Sequence, residues 1–212
     1  MKTIYYSYVF YFLSKVLPYM NKLFTPILIL LLSGCSTHNR DTVFAEKAAE
    51  QGDAFASIKK AAEQGYAPEQ DALGVMYYKG EGVLKDYKQA VSWYRKAAEQ
   101  GYASAQNNLG FMYGMGEGVI QDYNQAFSWY RKAAEQGFAT AQFNLGVMYG
   151  EGQGVLQDNK KALMWFHLAR KNGSSDAYSM IKLLVPSMTY TDAQKALDAS
   201  KICLESGYKK CG

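Results

Sequence analysis

Residues 96–131 read KAAEQGYASAQNNLGFMYGMGEGVIQDYNQAFSWYR, and the first six of them, KAAEQG, also begin at Lys47, Lys60 and Lys132. Laid against residues 60–95, the stretch is identical at 25 of 36 positions. The same interval of 36 residues separates Gly65, Gly101, Gly137 and Gly173. It also separates Leu73, Leu109 and Leu145; Tyr77, Tyr113 and Tyr149; Asp86, Asp122 and Asp158; and Trp93, Trp129 and Trp165. A fixed period of this size means one supersecondary unit repeated and stacked, because a single unit cannot cover its own apolar face.

Two helices are predicted in each unit. Ala90, Trp93, Tyr94, Ala97 and Ala98 fall at i, i+3, i+4, i+7 and i+8, one apolar face of the second helix. Asp86 is placed to cap its start, with Gln89 as a capping-box partner; Asp122 and Gln125 repeat this, while Lys161 follows Asp158 and leaves a simple cap. Gly101 stops the helix, since glycine enters the left-handed region at least cost. KAAEQG is thus the end of the second helix with its stop signal, once per unit. Ala105, Leu109, Met112 and Tyr113 mark the first helix, as do Ala141, Leu145, Met148 and Tyr149. Gly110 and Gly146 lie inside it at about 1 kcal/mol each against Ala, which predicts close approach by a neighbouring helix. GEG at 80–82 and 116–118, and GQG at 152–154, connect the two helices.

The segment AQNNLGFMYGMGEGVIQDYNQAFSWYRKAAEQG resembles a unit of the Sel-one-like repeat (SLR) family, relatives of the tetratricopeptide repeats. The resemblance covers residues 43 to 185 and implies an all-α fold, an α-solenoid of antiparallel helix pairs stacked into a right-handed superhelix. Residues 66–101, 102–137 and 138–173 are then full repeats. Gly52 and Gly65 are only 13 residues apart, so residues 43–65 form a shortened N-terminal cap. Residues 174–212 are capping helices: Pro186 stops the first, and the second starts near Thr191, capped by Thr191 or Asp192. Ala193, Ala196, Leu197 and Ser200 are placed to close the stack, and Gly207 to turn Cys211 back towards Cys203. Outside the cytoplasm such a close cysteine pair is read as a disulfide.

A different signal sits at the N-terminus. Residues 23–32, LFTPILILLL, are apolar but short for a bilayer span, and they run into LSGC at 32–35. LSGC resembles the lipobox of bacterial lipoproteins. That resemblance implies a signal peptide over residues 1–34, lipid on Cys35 as the mature N-terminus, and residues 35–42 as a polar tether. MNKLFTPILILLLSGC from Met20 is a compact signal by itself, so translation is expected to start at Met20, with a long leader from Met1 as the alternative. Multiple acyl chains, palmitate among them, hold a protein stably at a membrane. Ser36 after the lipidated position, in place of Asp, implies sorting to the outer membrane, facing the periplasm.

The formal net charge is +4, but Lys2, Lys15 and Lys22 precede Cys35; without them 20 basic residues face 19 acidic ones. No clustered basic face for nucleic acid is expected. The chain has two histidines, His38 and His167, so neither a zinc site nor a histidine-based triad is expected, nor any cofactor. GEG lacks the spacing and the Lys-Ser/Thr of a phosphate loop.

Binding is the leading expectation. In the related tetratricopeptide repeats the first helix lines a concave groove. With Leu73, Gly74 and Tyr77 as packing positions, Asp71, Ala72, Val75 and Tyr78 are directed to that groove, followed one unit on by Asn107, Asn108, Phe111 and Gly114, then by Phe143, Asn144, Val147 and Gly150. These positions vary between units while Leu109, Gly110, Tyr113, Leu145, Gly146 and Tyr149 hold the pattern. Asn108 and Asn144 resemble the groove asparagine of related repeats. An amide can donate to and accept from an extended backbone, and it can equally bond locally between helices. Phe111 and Phe143 are candidate anchors, and Trp93, Trp129 and Trp165 are read as core. The expected protein is a lipid-anchored envelope scaffold binding a protein or peptide, in assembly, signalling or host contact. Two other classes stay open: a hydrolase or binding protein directed at peptidoglycan or β-lactams, and a structural component without a groove ligand.

Overall fold

Three aspartates set where the second helices begin, and what they bond to explains how each helix pair is tied. The computed structural model describes residues 52–211, and all regular structure among them is helical. The expected signal peptide, Cys35 and the tether lie outside the described residues. Residues 52–63 are helical (α1). Then follow α2 (Ala67–Lys79), α3 (Tyr87–Glu99), α4 (Ala103–Met115), α5 (Tyr123–Ala134), α6 (Ala139–Glu151), α7 (Asn159–Lys171), α8 (Asp176–Leu184), a 3-10 turn (Val185–Ser187) and α9 (Tyr190–Glu205). Within a repeat α2 packs on α3, α4 on α5 and α6 on α7; between repeats α3 packs on α4 and α5 on α6. This is a solenoid of repeated helix pairs.

Asp86 accepts from the backbone N–H groups of Lys88 (2.9 Å) and Gln89 (3.0 Å), and Asp122 and Asp158 do the same one and two units on. The expected capping box does not form. The N–H of Asp86 that Gln89 would serve donates instead to the Tyr77 carbonyl at 2.9 Å, and Asp122 and Asp158 donate to Tyr113 and Tyr149 in the same way. That bond joins the cap of the second helix to the end of the first, so the glutamine is not needed. At the other end Gly101 has φ 89°, the left-handed backbone that stops α3.

The mid-helix glycines are packing devices. A Cβ on Gly74, Gly110 or Gly146 would lie 2.6, 2.9 or 2.5 Å from the ring of Tyr94, Tyr130 or Phe166. The second helix therefore rests its aromatic ring on bare backbone of the first. Between repeats the tightest points are Gly118 and Gly154, where a Cβ would run into the Tyr87 or the Tyr123 carbonyl of the unit before.

A column of buried glutamines, missed by the periodicity argument, fastens one unit to the next. Gln70, Gln106 and Gln142 each donate through Nε2 to the carbonyl of Ala62, Ala98 or Ala134, at 3.1 Å. Their Oε1 atoms accept from Gln100 (2.7 Å), Gln136 (2.8 Å) and Asn172 (2.8 Å). The acceptor alanine and the donor glutamine both belong to KAAEQG. The motif therefore does more than end a helix: it presents one carbonyl and one amide to its neighbours.

Leu73, Leu109 and Leu145 are fully buried, and Trp93 and Trp165 are buried as expected. Trp129 is only half-buried, with the Lys132 ammonium 3.9 Å above its ring. α9 begins at the cap Thr189, not at Thr191 or Asp192: Met188 and Thr189 are extended, and Thr189 Oγ1 accepts from the Asp192 N–H at 3.1 Å. Ala196, Ser200 and Cys203 are buried where α9 packs on α7, while Leu197 is half-buried. Cys203 and Cys211 are joined as a disulfide. No helix among the described residues is long and apolar enough to cross a membrane.

Candidate functional site

The first helices of successive repeats, α2, α4 and α6, meet through the side chains that the sequence directs to a groove. Two of these turn inward. Asp71 is 7% exposed and Asn107 9%. Asp71 accepts from Ser104 Oγ at 2.8 Å and from Asn108 Nδ2 at 2.9 Å. One unit on, Asn107 accepts from Asn144 Nδ2 at 3.1 Å. Asn108 and Asn144 thus spend a donor on the neighbouring helix, and both remain half-buried. At Asp71 burial raises the carboxyl pKa, and the bonds from Ser104 and Asn108 act against that rise.

The aromatic positions split as well. Tyr78 is half-buried, with its ring edge-on to Phe111 at 6.0 Å. Phe143 leans on Phe166 at 5.6 Å and joins the apolar cluster around Ala162, Ala169 and Ala177. Phe111 stays 37% exposed. It borders a cavity of about 230 Å³ between α4 and α6, floored by Ala126 and Tyr130 of α5 and also lined by Gly114, Met115, Tyr123, Asn144, Val147, Met148 and Gln153. Phe111, Gly114, Asn144 and Val147 are groove positions of the sequence reading, and the fold brings them together at one opening. Asp71 and Asn107 are not on that opening.

Among the described residues, no cluster of three or more His, Cys, Asp or Glu is placed to hold a metal ion. His167 is half-buried on α7, and burial first, then Arg170, lowers its pKa. What the described residues offer on this face is the cavity beside Phe111.

Sel1 repeats match residues 44–53, 70–102, 103–138 and 139–174, more than half of the chain. Among solved structures, the chain is similar to a protective antigen of uropathogenic Escherichia coli that displays an SLR fold, with 36% identity and a TM-score of 0.68 over 73% of this chain and 34% of that one. It is also similar to a Sel1 repeat protein from Oxalobacter formigenes, with 39% identity and a TM-score of 0.60 over 66% of this chain and 58% of that one. The chain therefore spans about a third of the first relative's length and 58% of the second's. No curated protein matches it.

Proposed function

The chain belongs to the Sel1 repeat family, and from that premise we propose that it is a lipid-anchored scaffold of the cell envelope that holds an extended segment of a protein partner along α2, α4 and α6. The observation that carries this reading is the cavity between α4 and α6. It lies on the face whose residues differ from repeat to repeat, while the packing residues do not. Exposed Phe111 beside a hollow of Met115, Tyr123 and Val147 offers the buried aromatic and methionine contact that dominates binding energy at interfaces. The half-buried Asn108 and Asn144 sit on the same helices, where an amide can meet a passing backbone. Cys35 carries the lipid, and the protein faces the periplasm from the outer membrane.

Crosslinking in intact cells, followed by capture of the full chain, tests the reading. Wild type should bring down one protein reproducibly, and Phe111→Ser should lose it while keeping its helical circular dichroism. Capture of the same protein by Phe111→Ser at wild-type yield contradicts the groove. Cys35→Ser should take up no labelled palmitate; continued labelling contradicts the anchor.

A further inference from the structure

We propose that the cavity between α4 and α6 is a receptor for one unmodified aromatic side chain, tyrosine or phenylalanine, of the partner segment; this rests on reading the face as partner-binding. The occupant's chemistry is written in the chain itself. Between α2 and α4 the equivalent space holds this protein's own Tyr78, its ring 6.0 Å from Phe111 and 5.4 Å from Tyr87. One repeat on, Val147 stands where Phe111 stood and Tyr123 where Tyr87 stood, but Gly114 replaces Tyr78. The ring is missing, one aromatic wall has become valine, and the tyrosine wall remains.

Gly114 is not imposed by its surroundings. A Cβ there would meet only the Ala126 methyl at 3.7 Å, an ordinary contact, whereas one on Gly110 would strike Tyr130 at 2.9 Å. Gly110 makes room for packing; Gly114 leaves room for something else. The walls also fix the charge of what enters. Around Tyr78 the chain places Lys85, 4.5 Å from the Tyr87 ring, and Glu117, which helps to raise the Tyr78 pKa after burial. Their equivalents one unit on are Gln121 and Gln153, and none of the residues lining the cavity is charged. A neutral ring is matched to this lining. A phosphorylated one would have to bury charge without a partner, which is costly. The Gln153 amide stands where Glu117 meets Tyr78, so it can accept from a phenol hydroxyl. Met115 and Met148 give the walls adjustable, polarisable surface for a ring.

The test uses the full chain in detergent with 13C-methyl methionine, titrated with N-acetyl-tyrosinamide and, separately, its O-phosphorylated form. Saturable shifts at the Met115 and Met148 methyls are expected with the first probe and none with the second. Gly114→Tyr should weaken the first probe at least tenfold, while Gly114→Ala, which leaves most of the hollow, should weaken it less than threefold. Absence of saturable shifts in wild type overturns the proposal, as do equal shifts in Gly114→Tyr, equal losses in the two variants, or saturable shifts of the same size with the phosphorylated probe. In the crosslinking experiment Gly114→Tyr should also lose the partner. Retention of the partner with loss of the probe overturns the cavity as the anchor and leaves the groove standing. Probe binding in a chain that captures no partner overturns the partner reading alone and supports the cavity's aromatic chemistry.

Discussion

Between α2 and α4, Tyr78 lies against Phe111 and Asp71 takes hydrogen bonds from Ser104 and Asn108; between α4 and α6, the same two positions hold Gly114 and Asn107, and a cavity stands where a ring would be. The frame around the two seams is the same. Leu73, Leu109 and Leu145 fill the same depth, and Gln106 and Gln142 close on the preceding alanine carbonyls at the same 3.1 Å. The difference teaches a division of labour. Frame residues repeat because every unit must dock in one geometry. The residues between the first helices differ while these frame contacts stay the same, so they decide what each seam presents to solvent.

The largest effects should fall on the frame and should be alike at the two seams. Leu109→Ala and Leu145→Ala each remove a fully buried side chain, and each should cost about 2–5 kcal/mol in denaturant unfolding. A gap between them of more than about 2 kcal/mol would break the claim of a shared frame.

Next comes the disulfide that closes the stack beyond both seams. Opening the small Cys203–Cys211 loop should cost roughly 2–3 kcal/mol. Cys211→Ser should unfold at lower temperature than wild type and lose all sensitivity to dithiothreitol. A midpoint equal to that of the oxidised wild type would show that the tail adds nothing.

Exchanging the seam residues should have smaller and opposite effects. Tyr78→Gly empties the first seam and adds glycine to a helix, for a loss of about 2 kcal/mol. Gly114→Tyr fills the second and should gain about 1 kcal/mol, since its Cβ has room. Destabilisation by Gly114→Tyr in urea unfolding would mean that the hollow is not shaped for a ring.

The smallest effect distinguishes the two seams by pH. Burial holds the Asp71 carboxyl above its ordinary value of 3.8. A folded-state value above the unfolded one contributes stability fully below the unfolded value and loses it as pH rises through the folded one. Asp71→Asn, which copies Asn107, should therefore gain on wild type as pH rises from below 3.8 through the raised folded-state value. Thermal unfolding across that range checks it. A relative loss would show that the bonds from Ser104 and Asn108 outweigh desolvation.

Much of the frame was legible because it is written three times. Leu109, Gly110, Asp122 and Gly101 each follow from one physical requirement: burial, close approach, a cap and a left-handed stop. The glutamine column was not, although Gln70, Gln106 and Gln142 share the same period. Amphipathic reasoning sends polar side chains to water, and nothing local shows that Gln106 reaches a carbonyl eight residues back. Gln89 misled for a related reason: its capping pattern is right, but the Asp86 N–H it would serve is taken by Tyr77, a contact between helices. Asp71 and Asn107 were assigned to the groove by their register, and their inward turn depends on partners one repeat away. Met188 and Thr189 stay extended after the 3-10 turn, and the sequence placed that helix start two or three residues late. The cavity was half legible. Phe111, Gly114, Asn144 and Val147 could be placed on one face, but its floor of Ala126 and Tyr130 comes from the second helix.

A crystal structure of Gly114→Tyr tests the central claim most directly. The introduced ring should lie in the hollow between Phe111, Tyr123 and Val147, its hydroxyl towards Gln153, with α4 and α6 unmoved. A ring turned out to solvent above a hollow still empty would contradict the account.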